Sequence, residues 1–196
     1  MNQEGHSGDQ SAAGGPVGAE PLPLLTTKLY RPPTRPDLEQ RHRLLEHLEQ
    51  NRYRPLTLIS APAGYGKTTL ASMWLETCDC PSAWISLDES DNDLRSFTTY
   101  LLAALNPVSP THEWKTRSLL EAPILPPARV LAQYLLNDVE QIGERFILAL
   151  DDMHLIRDGA VLDFLSELLH HPSPSMSLML IGRRDPSLPI ASLRAR

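Results

Sequence analysis

The sequence predicts an α/β fold, a doubly wound parallel sheet flanked by helices. Three observations carry that prediction. Short apolar runs alternate with segments of helical periodicity along most of the chain. The first apolar run, Leu56-Thr57-Leu58-Ile59-Ser60, passes directly into Ala61-Pro62-Ala63-Gly64-Tyr65-Gly66-Lys67-Thr68-Thr69, a glycine-bearing loop that opens a helix. A later run, Phe146-Ile147-Leu148-Ala149-Leu150, ends in the pair Asp151-Asp152. A buried parallel strand has this apolar text, and its C-terminal end opens into the crevice where α/β folds bind ligands.

The elements follow in order. Residues 1 to about 23 are rich in Gly, Ser, Ala and Pro without periodicity, which predicts a disordered tail before a folded domain over 24–196. Leu24 to Pro36 should be extended, because its prolines exclude helix at neighbouring positions. Asp37 can cap a helix running to about Asn51, with Leu38, Leu44, Leu45 and Leu48 as its apolar stripe. The first strand covers about 55–60, and the loop after it feeds a helix to about 77 bearing Leu70, Met73, Trp74 and Leu75. Ser82 to Leu87 reads as the second strand. Asp93 caps a helix near 94–105 that turns Phe97, Tyr100, Leu101, Leu102 and Leu105 inward. A Pro-rich loop at 107–113 and a short helix lead to a longer helix at about 128–142. The third strand covers 145–151, a helix spans about 159–170, and Met176 to Ile181 is the fourth strand. The Trp, Met and aromatic residues in these elements read as core filling, not as a cofactor box.

Composition narrows the function. A hydrophobic fraction of 41% over 196 residues fits one domain with a real core. A net charge of −6 and a pI near 5.6 supply no global basic surface for nucleic acid. Cys78 and Cys80 have no further cysteine to complete a metal set, and read as free thiols of a reducing cytoplasm. No run approaches a membrane span, and the N-terminus carries no secretory pattern.

The loop and the acidic pair carry the chemistry. Polyphosphate is held by backbone N–H groups converging at a helix N-terminus. Glycine belongs where such a loop needs positive φ or close approach, as at Gly64 and Gly66. Lys67 is placed to reach the β- and γ-phosphates, and the Thr68 hydroxyl to ligate Mg²⁺. Ala63, Gly64, Tyr65, Gly66, Lys67, Thr68 and Thr69 form the candidate cradle. The usual pattern opens on Gly, and here that position is Ala61. Asp151 is the candidate Mg²⁺ carboxylate, and Asp152 the group that orients or deprotonates the attacking water, with Lys67 as its catalytic partner. Two blander readings stand beside these: a chance Gly-Lys-Thr in a loop, and an acidic pair that caps the following helix.

Four blocks in order then show a resemblance. They are Thr27-Lys28-Leu29-Tyr30-Arg31-Pro32-Pro33 with Arg41; Ser60 through Thr69; Ser86-Leu87-Asp88-Glu89-Ser90-Asp91-Asn92-Asp93 with Phe97 and Tyr100 through Leu105; and Leu150-Asp151-Asp152-Met153-His154-Leu155-Ile156, continuing to Arg183-Arg184-Asp185-Pro186 and Leu193-Arg194-Ala195-Arg196. Together they resemble the NTPase domain of the maltose-regulator-like, ATP-dependent LuxR-type transcription activators, a STAND class of P-loop ATPases. In that family an Ala61-type start is common, while Met153 stands where an aromatic residue is more usual.

The resemblance implies an ATP-binding, slowly hydrolysing switch with Mg²⁺ as cofactor. It implies that Arg183 senses the terminal phosphate and that Arg41 lies near the adenine. His154 is open to two readings, a coupler of the acidic strand end to the switch or a hydrogen-bonded structural residue. Arg183, Arg184, Arg194 and Arg196 face phosphate and a following domain rather than DNA on this reading. Family members continue into a fifth core strand, a winged helix, helical repeats and a DNA-binding helix-turn-helix. The chain is thus expected to be a fragment with a free first-strand edge, prone to self-association and not itself binding DNA. A phosphotransferase or an inert remnant are the alternatives.

Overall fold

The computed structural model describes residues 24–35 and 41–189. Four strands form one sheet: β1 (Leu56–Ser60), β2 (Ser82–Ser86), β3 (Phe146–Asp151) and β4 (Met176–Gly182). Their order is β1-β4-β3-β2, and every pairing is parallel. Six helices accompany them: α1 (His42–Gln50), α2 (Lys67–Thr77), α3 (Leu94–Leu105), α4 (Lys115–Glu121), α5 (Ala128–Glu140) and α6 (Gly159–His170). Three 3-10 turns, at Thr26–Leu29, Glu89–Asp91 and Met153–Leu155, complete the regular structure of the described residues.

The central strands β3 and β4 are buried along their whole length, as their unbroken apolar text requires of strands covered on both faces. Side chains alternate between two cores. Ala83, Ile85, Leu148, Leu150, Leu178 and Leu180 face the larger core, which α3, α5 and α6 close with Phe97, Leu101, Leu135, Phe164 and Leu168. Trp84, Ile147, Ala149, Met179 and Ile181 face the smaller one, filled from α1 and α2 by Leu48, Ala71, Trp74 and Leu75. The sheet is therefore doubly wound, and all four carboxyl ends open on the same side.

The strands and the helices from α2 onward are present with boundaries shifted by up to two residues. Two expectations are corrected. Helix α1 starts only at His42, with Arg41 outside it. The segment expected to be extended winds into the 3-10 turn Thr26–Leu29, whose residues do not directly precede a proline and so escape its restriction. Asp37 and Leu38 lie outside the described residues, as do the tail 1–23 and Leu193-Arg194-Ala195-Arg196. The Arg41 side chain makes no cap bond to α1. Leu44 is exposed at 42% and leaves the expected stripe, since the helix has turned it away from the α2 contact that buries Leu48. Helix α5 stops at Glu140, two residues short of expectation, and Gly143 takes φ 71° in the turn beyond it. Tyr100 is only half buried, and its hydroxyl accepts the Leu25 amide at 3.0 Å. Asp93 caps α3 as expected, accepting the Ser96 amide.

Candidate phosphate-loop site

The site is built where β1, β3 and β4 end. Chain direction reverses between β1 and α2 through two positive-φ glycines, Gly64 at 81° and Gly66 at 72°. Gly66 is the residue before the first turn of α2, in the left-handed region, so an L side chain there would be strained. An ideal Cβ on Gly64 would meet nothing within 4 Å; its glycine answers to φ rather than to crowding. The loop from Pro62 to Tyr65 is exposed, and the free amides of α2 point into it.

Two contacts cross the loop. The Lys67 ammonium donates back to the Pro62 carbonyl at 3.0 Å. The Thr68 hydroxyl donates to Asp151 Oδ2 at 2.8 Å, joining the loop to the end of β3. Asp151 is 4% exposed, and its Oδ1 accepts the Asp152 amide at 2.9 Å. Burial holds its carboxyl above the ordinary carboxylate range, against the bonds from Thr68 and Asp152 N, which pull it down. A buried carboxylate and a hydroxyl side by side at a phosphate cradle are hard oxygen donors of the kind Mg²⁺ takes. The donor set fits Mg²⁺ and a polyphosphate.

Asp152 is the one described non-glycine residue with positive φ, 57°. That backbone twist sends its side chain away from that of Asp151, leaving it 47% exposed. Neither acid caps the helix that follows: Asp158 does so for α6, accepting the Val161 amide at 3.0 Å. The capping alternative for Asp151-Asp152 is thereby removed. Among the other expected residues, Arg41 Nη1 donates to the Tyr65 carbonyl at 2.9 Å, so its guanidinium braces the loop from outside. Tyr65 itself is exposed, and Thr69 is half buried in the first turn of α2. Arg183 follows the last residue of β4, exposed at the mouth of the site. Arg194 and Arg196 lie outside the described residues.

Three features escaped the sequence reading. Lys28 is 6% exposed, with its ammonium 2.6 Å from Asp91, 3.2 Å from Asp88 and 4.4 Å from the Tyr100 ring centre. Asn92 joins this segment to the chain beyond the acidic pair: it donates to the Leu155 carbonyl and accepts the Arg157 and Asp158 amides. Gly182 lets the Arg184 carbonyl come close at the end of β4, where an added Cβ would lie 3.2 Å from it, and it stands against the turn that holds His154, whose amide would be 3.5 Å from that Cβ. Each of these residues sits in a block that the resemblance marks, but nothing local in the text names its partner.

A parallel sheet with this loop and these carboxylates defines the class: a P-loop NTPase fold of α/β type. The sequence model of a family described as an AAA domain matches residues 40–186, and the chain belongs to that family. Curated relatives extend the likeness. The chain is 36% identical over 173 residues to the HTH-type transcriptional regulator MalT of Yersinia pestis (strain Pestoides F) and to that of Yersinia pseudotuberculosis (serotype O:1b, strain IP 31758). It is 35% identical over the same length to MalT of Serratia proteamaculans (strain 568). Each match covers 88% of this chain and 19% of the relative, so the chain spans about a fifth of the length of these regulators. Among the described residues no helix is long and apolar enough to cross a membrane.

Proposed function

We propose that this chain is the ATP–Mg²⁺-binding switch domain of a cytoplasmic transcription regulator of the MalT type, hydrolysing ATP slowly. The observation that carries the reading is the Thr68–Asp151 hydrogen bond, made between residues 83 apart at the point where a nucleotide's metal would sit. On binding, Lys67 leaves the Pro62 carbonyl for the β- and γ-phosphates, and the amides around Gly64 and Gly66 close on their oxygens. Thr68 and Asp151 would hold the metal between them and the phosphates. Mg²⁺ held there would supply charge neutralisation and Lewis acidity. Asp152 orients the attacking water, and Arg183 senses the charge of the terminal phosphate. Arg41 holds the loop in register through Tyr65. Loss of the γ-phosphate removes these contacts, and that difference is the free energy available to bias a following domain. The edge of β1, unpaired among the described residues, is a route to self-association of the isolated chain.

Calorimetric titration with ATP–Mg²⁺ tests the core of this reading. Lys67→Ala removes a cation from a desolvated polyphosphate and should cost about 2–4 kcal/mol of binding. Thr68→Ala should weaken binding with metal more than binding without it. Unchanged affinity in Lys67→Ala would remove the loop from the function.

A further inference from the structure

His154 sits in the 3-10 turn directly after the acidic pair, with its side chain 10% exposed. Its Nδ1 is buried without a hydrogen-bond partner and lies 3.7 Å from Asp152 Oδ1. An orphaned buried ring nitrogen is costly, and closing a bond with a nearby carboxylate removes that cost. The backbone is arranged to keep the ring there. Gly182, at the end of β4, lies directly beside the turn: a Cβ there would stand in ordinary contact, 3.5 Å from the His154 amide and 3.8 Å from the His154 Cβ. On the other side, Asn92 pins the carbonyl of Leu155 and the amides of Arg157 and Asp158, so the turn cannot drift from the strand ends. Burial, together with the charges of Arg183, Arg184 and Lys67, holds the imidazole below its ordinary pKa, with Asp152 opposing them. The ring is therefore neutral near neutral pH and carries a single N–H.

We infer that this N–H is on Nδ1 and that His154 is the positioning residue of Asp152, donating to Oδ1 and so aiming the other carboxylate oxygen at the attacking water. This rests on the role proposed above for Asp152. Hydrogen bonds of this kind are often long without substrate and tighten in the bound complex. The 3.7 Å separation is short enough for a small rotation to close. The arrangement repeats the logic by which a base is held by a third group in other hydrolytic sites.

Imidazole nitrogen spectra of the histidine-labelled full chain, with and without ATP–Mg²⁺, test the inference. His154→Asn identifies the signal by its loss. The expected result is a proton on Nδ1 in the wild type that shifts toward Nε2 in Asp152→Gly, which tolerates the positive φ and deletes the acceptor. A proton on Nε2 in the wild type, or a tautomer indifferent to Asp152→Gly, would overturn it. In phosphate-release assays His154→Phe should lower turnover about tenfold or more at unchanged ATP affinity, as misplacement of a catalytic group does. His154→Asn, which keeps a donor near the Nδ1 position, should recover most of that loss; equal rates in the two variants would also overturn the inference. Failure of ATP to bind would instead defeat the proposed function, and the tautomer of the nucleotide-free chain would still decide the role of His154.

Discussion

Burial of the Asp151 carboxyl works against the fold once the group ionises. Because burial raises its folded-state pKa, the native chain binds protons more readily than the unfolded chain just above the ordinary carboxylate range. The stabilising effect of this group is therefore complete below the unfolded pKa and is lost as pH rises through the folded one. At neutral pH the ionised side chain opposes folding. Asp151→Asn should raise the melting temperature of the nucleotide-free chain at neutral pH by roughly 2–4 °C, the response of a domain this size to about 1 kcal/mol. The gain should shrink in acid, and metal-dependent ATP binding should fall. Melting scans at the two pH values check it; a less stable variant at neutral pH would mean that the bonds from Thr68 and the Asp152 amide outweigh burial. Asp152 behaves differently, being half exposed and left-handed. Asparagine tolerates that conformation well, so Asp152→Asn should fold normally, bind ATP nearly as the wild type does, and lose turnover. Binding and turnover that fall together would show that the two acids share one task.

The segment 24–35 acts as a strap. Its 3-10 turn packs on β2 and sinks Lys28 against Asp91, which is fully buried, while Arg31 reaches the Ser72 carbonyl on α2 at 2.5 Å. Pro32 accepts from the Ser72 hydroxyl, and the Thr34 hydroxyl pairs with Glu76. The strap thus ties the loop after β2 to the helix that carries the phosphate loop. Removing one member of a buried ion pair leaves an uncompensated charge, which costs about 3–5 kcal/mol. Lys28→Met keeps the apolar stem and deletes the ammonium, so denaturant melts should show a loss of that size. Lys28→Met combined with Asp91→Asn should recover part of it. A loss below about 1 kcal/mol, the level of surface pairs, would show that the pair is effectively solvated.

Across the sheet, the two outer strands differ. β2 is covered on its free side by the strap, but β1 pairs with β4 alone among the described residues. Its text, Leu56-Thr57-Leu58-Ile59-Ser60, has no charge to discourage another strand. Sedimentation over a range of concentrations should therefore show self-association of the isolated chain, and a monodisperse monomer throughout would refute the role given to this edge.

The type and order of the elements were legible in the sequence because each depends on neighbours in the chain. Continuous apolar text makes a buried strand, helical spacing makes an amphipathic helix, and Asp93 caps α3 across three residues. The phosphate loop was legible for the same reason, since Gly64, Gly66, Lys67 and Thr68 act within one turn of chain. Arg41 and Arg183 entered through resemblance, and only the folded chain puts Arg41 on the Tyr65 carbonyl. The tertiary structure alone decided which distant residues meet. Thr68 finds Asp151 because β4 lies between β1 and β3, and Lys28 finds Asp91 across 63 positions because the strap crosses β2. His154 reaches Asp152 with its back to Gly182 only once β3 and β4 are paired. Such contacts depend on strand order and on burial, which sum over the entire core and leave no mark at a single position.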